Sequence, residues 1–135
     1  MAERVYSTPL LEKLGVRPGM RVAVVGDIDQ GFVASLFERT DDVTIGAPLE
    51  RTDIILAAVD SLDELAMLGR LRARIRQAGA IWVVSRKGRA AALRDVDVMA
   101  AARAVGLVDN KVASFSATHT ALRLVIPTAL RSTDA

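Results

Sequence analysis

Cysteine is absent from the 135 residues, which excludes disulfides, thiol nucleophiles and thiolate metal sites. One histidine remains, His119, and it cannot build a zinc site alone. Aromatic residues make up 4% of the chain against 51% hydrophobic residues overall. Apolar content carried by small aliphatic side chains suits strands buried on both faces, as in α/β proteins. Lysine is scarce too: of the 18 Lys and Arg only Lys13, Lys87 and Lys111 are lysines, and the net charge is just +2. Such arginine-rich, alanine-rich usage follows base composition as readily as nucleic-acid binding, so it argues for no polyanionic partner. The amino terminus has no apolar run of signal-peptide length and nothing later approaches a membrane span, so a cytoplasmic protein with no membrane partner is expected. No Walker loop, zinc pattern, nucleophile elbow or helix-turn-helix spacing appears; no catalytic residue and no metal ligand is assigned.

What is present is organised around Met20 to Phe32, read M-R-V-A-V-V-G-D-I-D-Q-G-F. An apolar run, a glycine, a polar turn and the start of a helix make a strand-turn-helix unit, and in an open α/β sheet such a turn lies at the strand's carboxyl end, where cofactors bind. Before it, Thr8 and Pro9 open a short helix with Leu10, Leu11 and Leu14 on one side, ended by Gly15. After it, Phe32, Val33, Leu36 and Phe37 predict a helix over 31–39, and Val43-Thr44-Ile45 a short strand stopped by Gly46-Ala47-Pro48. Asp53 to Val59 is a continuous apolar run suited to the middle of a parallel sheet.

Ser61 and Glu64 have capping-box spacing, and Leu65, Leu68, Leu71 and Ile75 predict a helix continuing to Ala78. On that helix Arg70 and Arg74 fall on one flank of the stripe and Arg72 and Arg76 on the other, a solvated arrangement rather than one basic patch. Ala80 to Ser85 is the next strand, Arg86 to Arg94 a basic loop, and Asp95 the cap of a helix through Ala104. Two closing strands, 107–117 and 121–127, joined by Thr118-His119-Thr120, predict an antiparallel hairpin with His119 in its turn. The expected architecture is one three-layer α/β/α, Rossmann-like domain over residues 1–127, with a reduced, mostly parallel sheet and a C-terminal hairpin, and a disordered tail over 128–135.

This order of elements, with V-R-P-G-M-R-V-A-V-V-G, T-D-I-I-L-A-A-V and Q-A-G-A-I-W-V-V at its strands, resembles the class I S-adenosylmethionine-dependent methyltransferases over nearly the whole chain. That family's first strand runs into a Gly-x-Gly-x-Gly type turn and an acidic residue closing its second strand holds the ribose. Here the turn is Gly26-Asp27-Ile28-Asp29-Gln30-Gly31, in which only Gly26 and Gly31 match, and the second strand meets no carboxylate before Glu50. Only one helix and one short strand fit between the first strand and Asp53, where the full enzymes place two strand-helix units. The segments V-Y-S-T-P-L-L-E-K-L-G-V-R-P-G-M-R-V, G-A-I-W-V-V-S-R-K and V-G-L-V-D-N-K-V also resemble a family of small bacterial proteins known as a domain of unknown function. Members carry a Tyr-Ser-Gly-Thr-Pro-Leu start and a Trp-Pro-Lys-Lys loop; this chain lacks the glycine between Ser7 and Thr8 and has Ser85-Arg86-Lys87 at the loop.

The candidate ligand residues are Gly26, Asp27, Asp29 and Gly31 on the turn and Arg86, Lys87 and Arg89 on the basic loop. Two carboxylates at a helix start repel a phosphate but complement the helix dipole, and they can hold a cation or ribose hydroxyls. Cations on the loop after a central strand can grip a small anionic ligand or solvate the loop. Trp82, with no aromatic neighbours in sequence for base stacking, reads as core. The expected function is a non-enzymatic regulatory or interaction module with no cofactor, S-adenosylmethionine being disfavoured, and with a protein partner or self-association. The alternative is a divergent S-adenosylmethionine- or nucleotide-using enzyme, in which Asp29→Ala abolishes ligand binding without unfolding. Weak nucleic-acid binding through Arg86 to Arg94 is the third reading.

Overall fold

A computed structural model describes residues 8–132; the cap expected from the Thr8 side chain and the last three residues of the expected tail lie outside what it describes. Strands β1 (Arg21–Val25), β2 (Asp42–Ile45), β3 (Thr52–Ala58), β4 (Ile75–Arg86), β5 (Val108–Ser114) and β6 (His119–Val125) form one six-stranded sheet in the order β2-β1-β3-β4-β6-β5. The first four are parallel; β6 runs antiparallel to both β4 and β5. This is the expected α/β sheet, mostly parallel with an antiparallel pair at its end.

Strand alternation sends side chains into two apolar layers. Val22, Val24, Ile54, Leu56, Trp82 and Val84 pack against helices α1 (Thr8–Leu14) and α2 (Gln30–Arg39), through Leu10, Leu11, Leu14, Phe32 and Leu36. Ala23, Ile55, Ala57, Ile81 and Val83 face the opposite layer, built on α3 (Leu68–Arg72) and α4 (Asp95–Ala104). Trp82 is core, fully buried, with its indole N–H donating to the Leu14 carbonyl at 2.9 Å.

The helix expected from Ser61 to Ala78 is much shorter. A 3-10 turn over Asp63–Met67 leads into α3, which ends at Arg72, and Ile75 is already the first residue of β4. Leu65, Leu68, Leu71 and Ile75 are nevertheless all buried in one layer: Ile75 reaches it from the strand rather than from the helix. The backbone leaves the helix because the sheet supplies partners, Thr52 N–H donating to the Arg74 carbonyl at 2.9 Å. Register shifts between Thr52 and Ile54 opposite β4, and Gly79 lies there; a Cβ on it would stand 2.9 Å from the Asp53 carbonyl oxygen, so glycine permits the close approach. The arginines are thereby spread over three elements. Arg72 Nε reaches the Gly106 carbonyl at 3.3 Å, Arg74 pairs with Glu50 at 3.3 Å and Arg76 with Asp53 at 3.4 Å.

Two smaller corrections concern the second half. Asp95 is the first residue of α4 and not its cap; the start is closed by Asp97, whose carboxylate accepts the Arg94 N–H at 2.9 Å. The hairpin connection runs over residues 115–118 rather than 118–120, and His119 opens β6, opposite Arg86. Of the expected tail, Thr128–Leu130 form a 3-10 turn and Arg131 Nε donates to the Ile126 carbonyl at 2.9 Å. Burial, and after it the neighbouring Arg131, holds the Arg123 guanidinium on β6 below its ordinary pKa.

Candidate functional site

Because β1, β3 and β4 are neighbours in the sheet, their carboxyl ends open side by side. A cleft of about 360 Å³ lies there, lined by Gly26, Asp27, Ile28 and Asp29 after β1, Ala58, Asp60 and Glu64 after β3, Val84 and Arg86 on β4, and Phe115, Thr118 and His119 from the hairpin. Gly26 takes φ +86°, and a Cβ on it would stand 3.1 Å from both Cβ and O of Ala58. The turn therefore needs glycine twice over, for its dihedral and for its contact with the next strand.

Four carboxylates border the cleft, and three of them are also structural. Asp29 caps α2, its Oδ2 accepting the Phe32 N–H at 3.1 Å. Asp60 Oδ1 accepts the Arg86 N–H at 3.1 Å, clamping the end of β4 to that of β3. Asp60 N–H in turn donates to Glu64 Oε1 at 2.7 Å, while Ser61 Oγ accepts the Glu64 N–H at 3.2 Å; the Ser61 half of the expected box forms, and the Glu64 side chain returns to Asp60 rather than to Ser61. Phe115, buried, stacks tilted on Phe32 with ring centroids 4.7 Å apart, so the apolar wall is anchored on α2. Among the described residues no three of His, Cys, Asp and Glu converge as ligands for a metal ion, and no helix is long and apolar enough to cross a membrane.

Of the residues singled out in the sequence, the fold brings Gly26, Asp27, Asp29 and Arg86 together in this cleft. Gly31 lies inside α2 and does not line it. Lys87 lines a neighbouring hollow, its Nζ donating to Ser114 Oγ at 2.9 Å, and Arg89 stands exposed on a 3-10 turn. Arg94 reaches Asp97 at 3.6 Å. The basic loop thus divides rather than acting as one patch. Asp60, Glu64, Phe115, Thr118 and His119 were missed. Asp60 had a signal, since it follows an apolar strand run just as Asp27 does; His119 had none, because only the antiparallel register sets it beside Arg86.

The cap also changes what an Asp29 substitution reads. We predict that Asp29→Ala lowers stability by about 1 kcal/mol whereas Asp29→Ser, which keeps an acceptor, costs much less; urea midpoints of the two variants check this. The alanine variant is therefore not a clean probe of binding.

No family model matches the chain, and no curated protein matches it in sequence. Solved structures match in fold. A SAM-dependent methyltransferase from Aquifex aeolicus superposes with a TM-score of 0.61 at 13% identity, over 90% of this chain and 90% of its own. A SAM-dependent O-methyltransferase from Thermotoga maritima gives 0.65 at 9% identity, over 93% of this chain and 65% of its own. The 1,6-didemethyltoxoflavin-N1-methyltransferase of Burkholderia thailandensis, with bound 1,6-didemethyltoxoflavin and S-adenosylhomocysteine, gives 0.63 at 15% identity, over 97% and 78%. The fold is methyltransferase-like and Rossmann-like. The expectation of a chain without a cofactor is corrected by these neighbours, which are SAM-dependent methyltransferases, one of them holding S-adenosylhomocysteine.

Proposed function

We infer that this chain is a divergent S-adenosylmethionine-using enzyme whose cofactor cleft is the one at the ends of β1, β3 and β4. The fold neighbours favour this alternative over the non-enzymatic module. The observation that carries it is the cleft itself, within the size range of small-molecule sites, floored by a glycine turn and bordered by Asp27, Asp29, Asp60 and Glu64.

The chemistry of the lining fits the cofactor. Ionised carboxylates only accept hydrogen bonds and carry negative charge, which suits an ammonium, a sulfonium and the two ribose hydroxyls. When bound, S-adenosylmethionine supplies an electrophilic methyl group. Asp60 is the carboxylate best fixed to orient a donor, because its Oδ1 accepts the Arg86 N–H and its own backbone N–H donates to Glu64 Oε1, which together hold its loop. Gly26 lets the backbone of the turn approach a ligand with no side chain between, and Phe115 offers a buried apolar face.

The divergence is in the ribose position. β2 is followed by Gly46-Ala47-Pro48 and Glu50 is engaged by Arg74 at 3.3 Å, so any ribose carboxylate comes from the β1 turn or the β3 end. Kinship with the small bacterial family belongs to the same proposal and is supported by the segments quoted above.

The test is calorimetric titration and thermal unfolding with S-adenosylmethionine and S-adenosylhomocysteine, with ATP as a control. A ligand at about 100 times its dissociation constant stabilises by roughly 2.7 kcal/mol, a rise of several degrees in Tm. Silence from both adenosyl compounds at millimolar concentration ends the reading, and a response to ATP alone transfers the cleft to nucleotides.

A further inference from the structure

We propose that the hollow beside the cleft is a second ligand site, which takes a small oxyanion on Arg86, Lys87 and His119; that this anion belongs to the acceptor substrate rests on the cofactor reading above. The second hollow, of about 390 Å³, shares Arg86, Thr118 and His119 with the cleft and adds Lys87, Ala90 and Ala117. The charges segregate between the two. Every lining carboxylate is on the cleft side, and the second hollow has none.

Three observations make this shelf a binding surface for an anion. First, the Arg86 backbone is doubly fixed, by Asp60 at 3.1 Å and by pairing opposite His119 in β6, yet its guanidinium has no ion-pair partner among the described residues. It shares this with other exposed arginines such as Arg70, Arg89 and Arg103 and differs from them in lining one hollow together with Lys87 and His119. A guanidinium left unpaired at a rigid strand end can offer a fork of donors to a carboxylate or phosphate. Second, Lys87 is tethered at both ends, its N–H to the Thr118 carbonyl at 3.0 Å and its Nζ to Ser114 Oγ at 2.9 Å; an ammonium has three donors, so two remain. Third, His119 Nδ1 is occupied by Thr118 Oγ1 at 2.8 Å, which orients the ring and leaves Nε2 available.

A compact anion fits better than a nucleic-acid backbone. The four carboxylates on the adjoining rim repel an extended polyanion, and Arg94, which could lengthen the track, is 3.6 Å from Asp97. Arg89 points to no shared hollow.

The experiment titrates the full chain with inorganic phosphate and, separately, benzoate at low ionic strength, followed by amide NMR shifts, with and without saturating S-adenosylhomocysteine. We expect at least one oxyanion to bind with a Kd on the order of 1 mM, shifting amides at 86–87 and 118–119. Arg86→Gln and Lys87→Gln should each weaken it roughly tenfold, and Arg103→Gln on α4 should leave it unchanged. The two probes separate a tetrahedral phosphate from a planar carboxylate. No shift with either probe overturns the proposal. So does competition with S-adenosylhomocysteine, which would give the shelf to the cofactor's own carboxylate, and so does salt-sensitive binding of an oligonucleotide with both small anions silent. If the oxyanion binds while S-adenosylhomocysteine does not, the shelf stands and the cofactor reading alone fails.

Discussion

Trp82→Ala is expected to cost about 3–5 kcal/mol, a large part of the 5–15 kcal/mol that holds a typical domain folded. Trp82 is fully buried on the central strand β4 and its ring fills the layer between the sheet and α1 and α2. It also carries a long-range tie. Its indole N–H donates to the Leu14 carbonyl, 68 residues away in sequence, and so satisfies a group at the end of α1. That helix has seven residues, too few to persist without tertiary contacts. Leu10, Leu11 and Leu14 supply apolar burial, and Arg39 Nε adds a bond to the Val16 carbonyl at 3.0 Å. Trp82→Phe separates the two effects: it keeps most of the ring but leaves the Leu14 carbonyl without its donor, for about 1–3 kcal/mol. Trp82 is the sole tryptophan, so unfolding is followed by circular dichroism, and faster hydrogen exchange at Gly15 and Val16 in Trp82→Phe would report α1 loosening. An alanine variant within 1 kcal/mol of wild type would refute the packing described.

How much of this could be read from the chain depends on how local each determinant is. The strands 21–25 and 52–58 were legible because parallel strands buried on both faces need continuous apolar runs, and such runs were there. The stripe Leu65, Leu68, Leu71, Ile75 was legible as burial and misread as conformation. All four side chains enter one core, but the backbone between Arg72 and Ile75 is decided by Thr52 and Asp53, some twenty residues upstream, which helical spacing does not reveal. Gly79 lies inside β4 and ends no helix; what requires glycine there, a close approach to the Asp53 carbonyl, is tertiary.

The candidate site divides in the same way. Gly26, Asp27 and Asp29 sit next to one strand end, and a strand-turn-helix pattern marks them locally. Asp60 joins them only when β3 is known to lie beside β1, and His119 only when β6 is known to pair antiparallel with β4. Arg89 and Gly31 lie outside the cleft for a geometric reason: sequence proximity to a lining residue does not aim a side chain into the same hollow. The missing β2 carboxylate was legible from the start, and what it meant was not, since carboxylates on other strand ends can stand in its place.

Gly26 is the residue on which these two scales meet, and its substitution is the sharpest test of the cleft. With φ at +86° the position strains any L side chain, by about 1–2 kcal/mol for alanine. A Cβ there also meets Ala58 at 3.1 Å on two atoms, so the β1 turn must shift away from the end of β3, which moves Asp27 relative to Asp60. Gly26→Val should therefore weaken S-adenosylhomocysteine on the order of 100-fold, a difference of about 2.7 kcal/mol. Gly26→Ala should lose less binding and remain folded, which keeps the test readable if the valine variant does not fold. Adding Ala58→Gly to Gly26→Ala removes the Cβ contact but neither the dihedral strain nor the approach to the Ala58 carbonyl. The double variant should then recover part of the lost affinity and little of the lost stability. Full affinity in Gly26→Ala, measured by calorimetry beside its unfolding curve, would place the adenosyl ligand away from the β1 turn.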